Sequence, residues 1–365
     1  MARDLRLKDD FKHLDPNNFL KDCFCKVPFQ EFHIFRDGYV SLCCTAWHPT
    51  EVGNINQQSL LEISNSPLAK KIRESVQNGQ FNYCNGSLCG AMNAVLHDGR
   101  KIWPLEDKSD FERIHADDLS KKIKIYLSFD DTCNLACESC RKEKIFYDKR
   151  SATPELLATY EKAQTQIIEL LDHGYSVDLV VTGSGDAFAS PLYYELMCSL
   201  PETNKLGLYI LTNGTMMTEK KLNMPTKKQI RMIVVSVDSC IPDRYSKIRK
   251  GGNFEYVQNN LDHLDRIVQT DFPSSFLWQI NFIVQNDNYQ ELGDFVEWSN
   301  RFKTLNSIQF SKILDWGHLS SSAFGSKAVW IPDHPEHLNF LAKMKDPRLK
   351  NPRVILGNLT EYLES

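Results

Sequence analysis

The chain has 365 residues, of which 42% are hydrophobic and 25% charged, and its formal net charge is −4. That length exceeds one ordinary core, so two domains, or a large barrel-like domain with an appendage, are expected. The negative charge argues against broad binding to nucleic acid, and no run of about 18 apolar residues is present to cross a membrane.

The opening MARDLRLKDDFKHLDPNNF lacks the apolar core of a secretory signal. Eleven cysteines in such a chain point to a reducing, cytoplasmic setting, where thiols hold metal or do chemistry rather than pair. Six of them lie between 23 and 89 (Cys23, Cys25, Cys43, Cys44, Cys84, Cys89), three between 133 and 140, and Cys198 and Cys240 stand alone. Two metal sites are expected from that distribution.

Between about 20 and 100 the segments are short and turn-rich. EFHIFRDGYVSLCC reads as a hairpin with Asp37-Gly38 as its turn. SLLEISNSPLAKKIRESVQNG reads as a helix or helix pair that stops near Asn78-Gly79. The polar stretch EDKSDFERIHADDLSKK marks a boundary. From 122 onward strands alternate with helices: IKIYLSF is a strand, ATPELLATYEKAQTQIIELLDHG a helix closed by Gly174, SVDLVVTGS a strand, and SPLYYELMCSL a helix that Ser190 can cap. KLGLYILTNG, IRMIVVSVDS, SFLWQINFIVQN and NSIQFSKIL complete six strands. Apolar strands separated by helices predict a parallel sheet covered by helices. The expected architecture is α/β: a small β-hairpin/helix domain over 1–105, a linker over 106–120, a partial (β/α)6 TIM-like barrel over 121–320 and a C-terminal helical extension over 321–365.

Chemistry in a parallel β/α barrel gathers at the C-terminal ends of the strands. The loop after the first barrel strand, SFDDTCNLACESCRKEK, holds Cys133, Cys137 and Cys140 in a C-x3-C-x2-C array. Three thiolates occupy three corners of a [4Fe–4S] cube whose full ligation takes four. One iron is then left open for a small ligand, which a purely structural cluster or zinc site has no reason to do. A zinc knuckle borrowing its fourth ligand from elsewhere is the alternative.

This array, with CNLAC at its centre, resembles the radical S-adenosylmethionine (radical SAM) superfamily. The resemblance implies a cluster whose open iron is chelated by S-adenosylmethionine, reductive cleavage to a 5′-deoxyadenosyl radical, and hydrogen abstraction from a substrate, with the protein supplying position and shielding. VVTGSGDAFAS resembles the family's glycine-rich segment that binds the ammonium of S-adenosylmethionine, which assigns Gly183, Ser184, Gly185 and Asp186, the last replacing the usual Glu. LYILTNGT resembles the family's turn after the third strand and brings in Thr212 and Asn213, which otherwise read as a tight turn. VVSVDS offers Ser236 and Asp238 for ribose hydroxyls. YSKIRKGGNFEYV resembles the Ile-Arg-Gly segment of peptide-modifying members and offers Arg249 for the carboxylate of S-adenosylmethionine; a solvated surface charge is the alternative. The position before the third cysteine, often aromatic in the family, is Ser139, so adenine is expected on other groups such as Trp316.

The first six thiols lie in a pattern that resembles the SPASM/Twitch auxiliary-cluster module, placed ahead of the barrel rather than after it. The matching features are Cys25-Lys-Val-Pro28-Phe29, Asp37-Gly38, Cys43-Cys44, Gly53-Asn54-Ile55, Ile63-Ser-Asn65-Ser66 and a closing cysteine pair, with Ser64 in place of the customary Trp. A second [4Fe–4S] cluster on Cys25, Cys43, Cys84 and Cys89 is expected; Cys44 is the alternative to Cys43, since neighbours on a strand face opposite ways, and Cys23 the alternative to Cys25. A structural zinc site competes with it.

Cys240, just past the fourth barrel strand, is a candidate hydrogen-atom donor to a substrate radical or a small buried hydrophobe. Cys198 reads as core, and the ten histidines fall into no metal or triad spacing. The function implied is a cytoplasmic radical SAM enzyme that modifies a peptide or protein side chain by oxidation, crosslinking or epimerisation, with an auxiliary cluster for electron transfer or scaffolding. Its partners are the substrate and an electron donor such as flavodoxin or ferredoxin, with no membrane and no nucleic acid. The alternatives are a dehydrogenase or epimerase acting on a sugar, nucleoside or other small alcohol, and a noncatalytic iron–sulfur electron carrier.

Overall fold

A computed structural model describes residues 15, 17–45, 48–86, 88–98, 104–111, 121–315 and 317–363. The adenine candidate Trp316 and most of the linker expected over 106–120 lie outside the described residues. Two compact units are formed, one from residues 1–130, 151–183 and 203–207, the other from 131–150, 184–202 and 208–365.

The first unit contains strands β1 (Cys23–Cys25), β2 (Glu31–Phe35), β3 (Tyr39–Ser41), β4 (Gly53–Asn54), β5 (Leu105–Asp107), β6 (Lys122–Ser128) and β7 (Ser176–Val181). Its helices are α1 (Leu60–Ser64), α2 (Pro67–Gln77), α3 (Gly90–Asp98) and α4 (Pro154–Asp172). The hairpin forms as expected: β2 and β3 pair antiparallel through His33 opposite Ser41 and Ile34 opposite Val40. Its turn holds Asp37 and Gly38 at φ 62° and 81°, a left-handed pair that Asp-Gly tolerates. A side chain at Gly38 would collide with Asn56 Nδ2 at 2.6 Å. Of the helix or helix pair expected over 59–79, the pair forms. Ser59 and Glu62 form a reciprocal capping box on α1, Ser66 caps α2 with Pro67 at its first position, and the fixed φ of that proline starts a new helix rather than extending the old one.

The sheet of this unit runs β7-β6-β2-β3-β4. β6 pairs parallel with β7 and, on its other edge, parallel with β2, from Glu31 opposite Lys124 to Phe35 opposite Ser128. The hairpin is thereby built into the sheet that begins with the first barrel strand. Phe32 and Ile34 point to one face of β2 and are fully buried, while Glu31 and His33 on the other face are nearly so. The His33 ring stacks on Tyr126 at 4.0 Å between centroids. β1 and β5 form a separate antiparallel ribbon.

The second unit contains β8 (Leu206–Thr212, from residue 208), β9 (Ile230–Ser236), β10 (Leu277–Val284), β11 (Ser307–Lys312) and β12 (Val354–Ile355). They lie side by side in chain order, with every pair parallel. Helices α5 (Pro191–Ser199), α6 (Glu219–Leu222), α7 (Pro242–Ile248), α8 (Phe254–Asp271), α9 (Leu292–Ser299), α10 (Ser321–Lys327) and α11 (His337–Met344) complete it. Ser190 caps α5 by accepting from the Tyr193 amide. The core is aromatic: Phe282 meets Phe295 edge-on at 4.7 Å and Trp278 meets Phe302 at 5.5 Å, contacts worth about 0.5–1.5 kcal/mol each beyond area burial.

The six strands expected from residue 122 onward are β6 to β11, and the α/β class with a mostly parallel sheet is as expected. The segment over 321–365 adds helices and also β12, which pairs with β11 through Ile308 opposite Val354. Among the described residues no helix is long and apolar enough to cross a membrane.

Candidate metal and cofactor sites

In the second unit the three-thiol loop is pinned from several directions. Cys133 and Ile145 exchange backbone hydrogen bonds of 2.8 and 3.2 Å, and the Ala136 amide donates to the Lys250 carbonyl at 2.9 Å. The Asp186 amide donates to the Thr132 carbonyl, and the Tyr147 amide to the Thr132 hydroxyl. Arg141, which the sequence reading passed over, donates to the carbonyls of Asp131 and Ser184 and sits 3.5 Å from Cys140 Sγ. Cys133 and Cys137 are buried while Cys140 is exposed. Burial pushes the thiols of Cys133 and Cys137 up; Asp186 adds to the rise at Cys133, and Arg249 opposes it at Cys137. Arg141 beside Cys140 and Arg249 beside Cys137 thus set two cations against three thiols, which offsets thiolate charge.

The remaining candidates gather around that loop. Asp186 is fully buried, and its carboxylate accepts from the amides of Phe188, Ala189 and Asn213 and from the Thr212 hydroxyl, the last two at 2.6 and 2.9 Å. It acts as a strut between the GSGD segment and the TNG turn rather than as a free carboxylate. Asn213 donates to Asn134 at 3.0 Å and reaches Cys133 Sγ at 3.7 Å, so the turn after β8 is tied to the thiol loop. Ser184 and Gly185 are half-buried and Gly183 is exposed. A Cβ on Gly183 would lie 1.9 Å from Ser128 Oγ, so only glycine leaves this edge of the first unit open.

At the end of β9, Ser236 is half-buried and its hydroxyl has no hydrogen-bond partner among the described residues. Asp238 is already engaged: one oxygen accepts from the Ile283 amide at 2.8 Å, and the other pairs with Arg249 at 2.7 Å. Burial raises the Asp238 carboxyl and Arg249 opposes that rise. Arg249 is largely enclosed rather than a solvated surface charge, and Asp238 and Cys137 hold its cation in place against desolvation. Two polar atoms beside these groups are buried without a partner among the described residues, Arg249 Nε and Tyr245 Oη. A carboxylate-bearing ligand is the chemistry that such a pair of donors fits.

Cys240 lies away from this cluster of bonds. Its thiol donates to Glu291 at 3.4 Å, and Glu291, itself buried, also takes the Ser239 hydroxyl and pairs with Arg244. Burial, then Glu291, push the Cys240 thiol up to about 12.

In the first unit four thiols share one buried neighbourhood. Cys25, Cys84 and Cys89 pack against a core of Leu20, Phe24, Phe29, Val76, Phe81 and Met92. Burial pushes Cys25 up to about 12, with Cys89 adding to it. Burial likewise raises Cys43, with Cys25, Cys84 and Cys89 contributing, and Cys84, with Cys25 and Cys89 contributing. Cys43 therefore feels the charge of the other three and Cys84 that of Cys25 and Cys89, and thiolates so placed need a cation between them. Cys89 also sits at the start of α3, where the amides of Met92 and Ala91 favour its thiolate against burial. Cys44 lies near enough to Cys89 to act on it. Cys23, two residues from Cys25 along β1, is in the apolar core with its thiol directed to the Phe19 carbonyl at 3.4 Å. Among the described residues, no three His, Cys, Asp or Glu side chains are placed to hold a single metal ion. A four-iron cluster spreads its thiolates farther apart than a single ion does, and the all-sulfur donor sets of Cys25, Cys43, Cys84 and Cys89 and of Cys133, Cys137 and Cys140 have the chemistry that such a cluster takes.

Comparison with known proteins bears on both sites. A family model described as an iron–sulfur cluster-binding domain, SPASM, matches residues 23–90, which contain all four thiols. The chain is similar to the GTP 3′,8-cyclase of Alkaliphilus metalliredigens, 24% identical over 46% of this chain and 50% of that protein. It is similar also to the GTP 3′,8-cyclase of Listeria welshimeri, 23% identical over 59% of each. The chain therefore spans from 50% to 59% of the length of the curated relatives it matches. Among solved structures it resembles SuiB of Streptococcus suis bound to S-adenosylmethionine, with a TM-score of 0.39 and 15% identity over 54% of this chain and 42% of that one. Residues 23–90 thus match an iron–sulfur cluster-binding domain of the SPASM kind, and the similarities agree with the radical SAM resemblance of the sequence and with the [4Fe–4S] clusters and S-adenosylmethionine it implies.

Proposed function

We propose that the chain is a radical SAM enzyme that abstracts hydrogen from a peptide or protein side chain and drives its oxidation, crosslinking or epimerisation. The observation that carries this reading is the coexistence of an incomplete thiol set, Cys133, Cys137 and Cys140, with a complete one, Cys25, Cys43, Cys84 and Cys89. Bound at the first set, a cluster and S-adenosylmethionine supply one-electron cleavage to a 5′-deoxyadenosyl radical. The chain's own residues then hold and shield: Arg249 and Tyr245 offer buried donors to a carboxylate, Gly183 to Gly185 offer backbone edge, and Ser236 offers a free hydroxyl to a ribose. Asp186 and Asp238 position the loops that carry these groups. A fully thiolate-ligated second cluster leaves no iron open to substrate, so an electron-transfer or scaffold role follows for residues 23–90.

A second reading, a reaction on a nucleoside, sugar or other small alcohol, is favoured by the similarity to GTP 3′,8-cyclases. One experiment separates the readings. Peptides, nucleotides and sugar alcohols deuterated at candidate positions are incubated with the anaerobically reconstituted protein. Deuterium in 5′-deoxyadenosine from a peptide supports the first reading, and from a nucleoside or sugar the second. Iron analysis should give about eight irons per chain; zinc without iron would exclude both.

A further inference from the structure

The structure leaves one imidazole unexplained. His48 is 1% exposed, and among the described residues neither of its ring nitrogens has a hydrogen-bond partner. A neutral imidazole carries one donor and one acceptor, and buried polar atoms of this kind nearly always have partners. Its surroundings are those of the thiol cage. The His48 amide donates to the Cys44 carbonyl at 2.8 Å, and its carbonyl accepts from Ser41 Oγ at 3.3 Å, while Ser41 Oγ also accepts from the Cys43 amide. The ring packs against Tyr83, the residue before Cys84, at 6.2 Å between centroids. The segments bearing Cys43, Cys44 and Cys84 thus flank it. Glu31 Oε1, also without a partner among the described residues, borders the same thiols, since the charge of Glu31 is felt at Cys25 and Cys43.

Among the described residues nothing meets the His48 ring nitrogens, so a bound group is the partner that they fit. Four thiols already satisfy a four-iron cluster, so a fifth iron ligand is not called for, whereas cluster sulfurs accept hydrogen bonds that tune their potential. We propose that His48 contacts the auxiliary cluster, its ring N–H donating a hydrogen bond to a cluster sulfur. This rests on the reading of residues 23–90 as a cluster domain. In that role His48 is a positioning and tuning residue, not a catalytic one.

The test uses the full chain with Cys133, Cys137 and Cys140 changed to alanine, so that only the auxiliary cluster loads, and with histidine labelled with nitrogen-15. Pulsed electron paramagnetic resonance of the reduced cluster should show a weak nitrogen coupling that responds to the label and vanishes in His48→Leu. The midpoint potential in His48→Leu should move to more negative values, because a sulfur without its hydrogen bond holds the added electron less well. A coupling as strong as that of iron-bound imidazole, no coupling at all, or a coupling and potential unchanged in His48→Leu overturns the proposal. If His48→Leu does not load, the same comparison is made with His48→Gln, in which the label-dependent signal must still disappear. Failure of any cluster to load in the parent background overturns the cluster-domain reading itself, and with it this inference.

Discussion

The guanidinium of Arg249, a side chain 14% exposed, lies 2.7 Å from the buried carboxylate of Asp238, and the same guanidinium reaches Cys137. The end of β9, the segment after α7 and the thiol loop are thereby locked together by one cation. Breaking a buried pair from one side leaves an uncompensated charge, which costs about 3–5 kcal/mol. Arg249→Met should lower the urea midpoint of the metal-free protein by that order, and Arg249→Met combined with Asp238→Asn should recover part of it. Equal losses in the single and double variants would show that the pair is not coupled.

Gly183 and Ser128 make a steric prediction. The Cβ of Gly183→Ala would lie 1.9 Å from Ser128 Oγ and 2.9 Å from its Cβ, so a strand or its loop has to move, at about 1–3 kcal/mol. Ser128→Gly removes both atoms in the way. The double variant should therefore be more stable than the sum of the single losses allows, read from thermal or urea unfolding. Strict additivity would contradict the contact.

Burial holds the His48 imidazole down at about 4, against an ordinary value of 6.5. The unfolded chain therefore takes up the proton first as the pH falls. Stability is fully present above about 6.5 and is lost progressively down to about 4, at about 1.4 kcal/mol per pH unit and about 3 kcal/mol in all. In the metal-free protein the urea midpoint should fall across this window, and His48→Phe should flatten the fall. An unchanged slope in the variant would place the titration elsewhere.

Much of the fold was legible because its signals are local. Asp37-Gly38 between alternating strands specifies a hairpin, Ser190 ahead of a helical run specifies a cap, and the six apolar strands declare themselves by composition. The parallel pairing of β2 with β6 was not legible, because alternation in one strand says which side chains share a face and not which strand lies alongside. The cysteine spacings marked two thiol-bearing regions. They could not distinguish Cys23 from Cys25, which would share a face of a regular strand; the difference is the Phe19 carbonyl that takes the Cys23 thiol. Arg141, Tyr245 and His48 went unread for a related reason. Each matters through a partner distant in sequence or through the absence of one, and only Arg141, directly after Cys140, carried a signal that a closer reading of charge beside the thiols could have used.

The central claim is that Cys133, Cys137 and Cys140 together hold a cluster with one iron free for S-adenosylmethionine. Its most direct test is the yield of 5′-deoxyadenosine from the anaerobically reconstituted, dithionite-reduced protein supplied with S-adenosylmethionine, compared with Cys140→Ala treated identically. The account predicts release by the parent protein and loss to background in the variant, with the iron on Cys25, Cys43, Cys84 and Cys89 retained. Undiminished release by Cys140→Ala would contradict it.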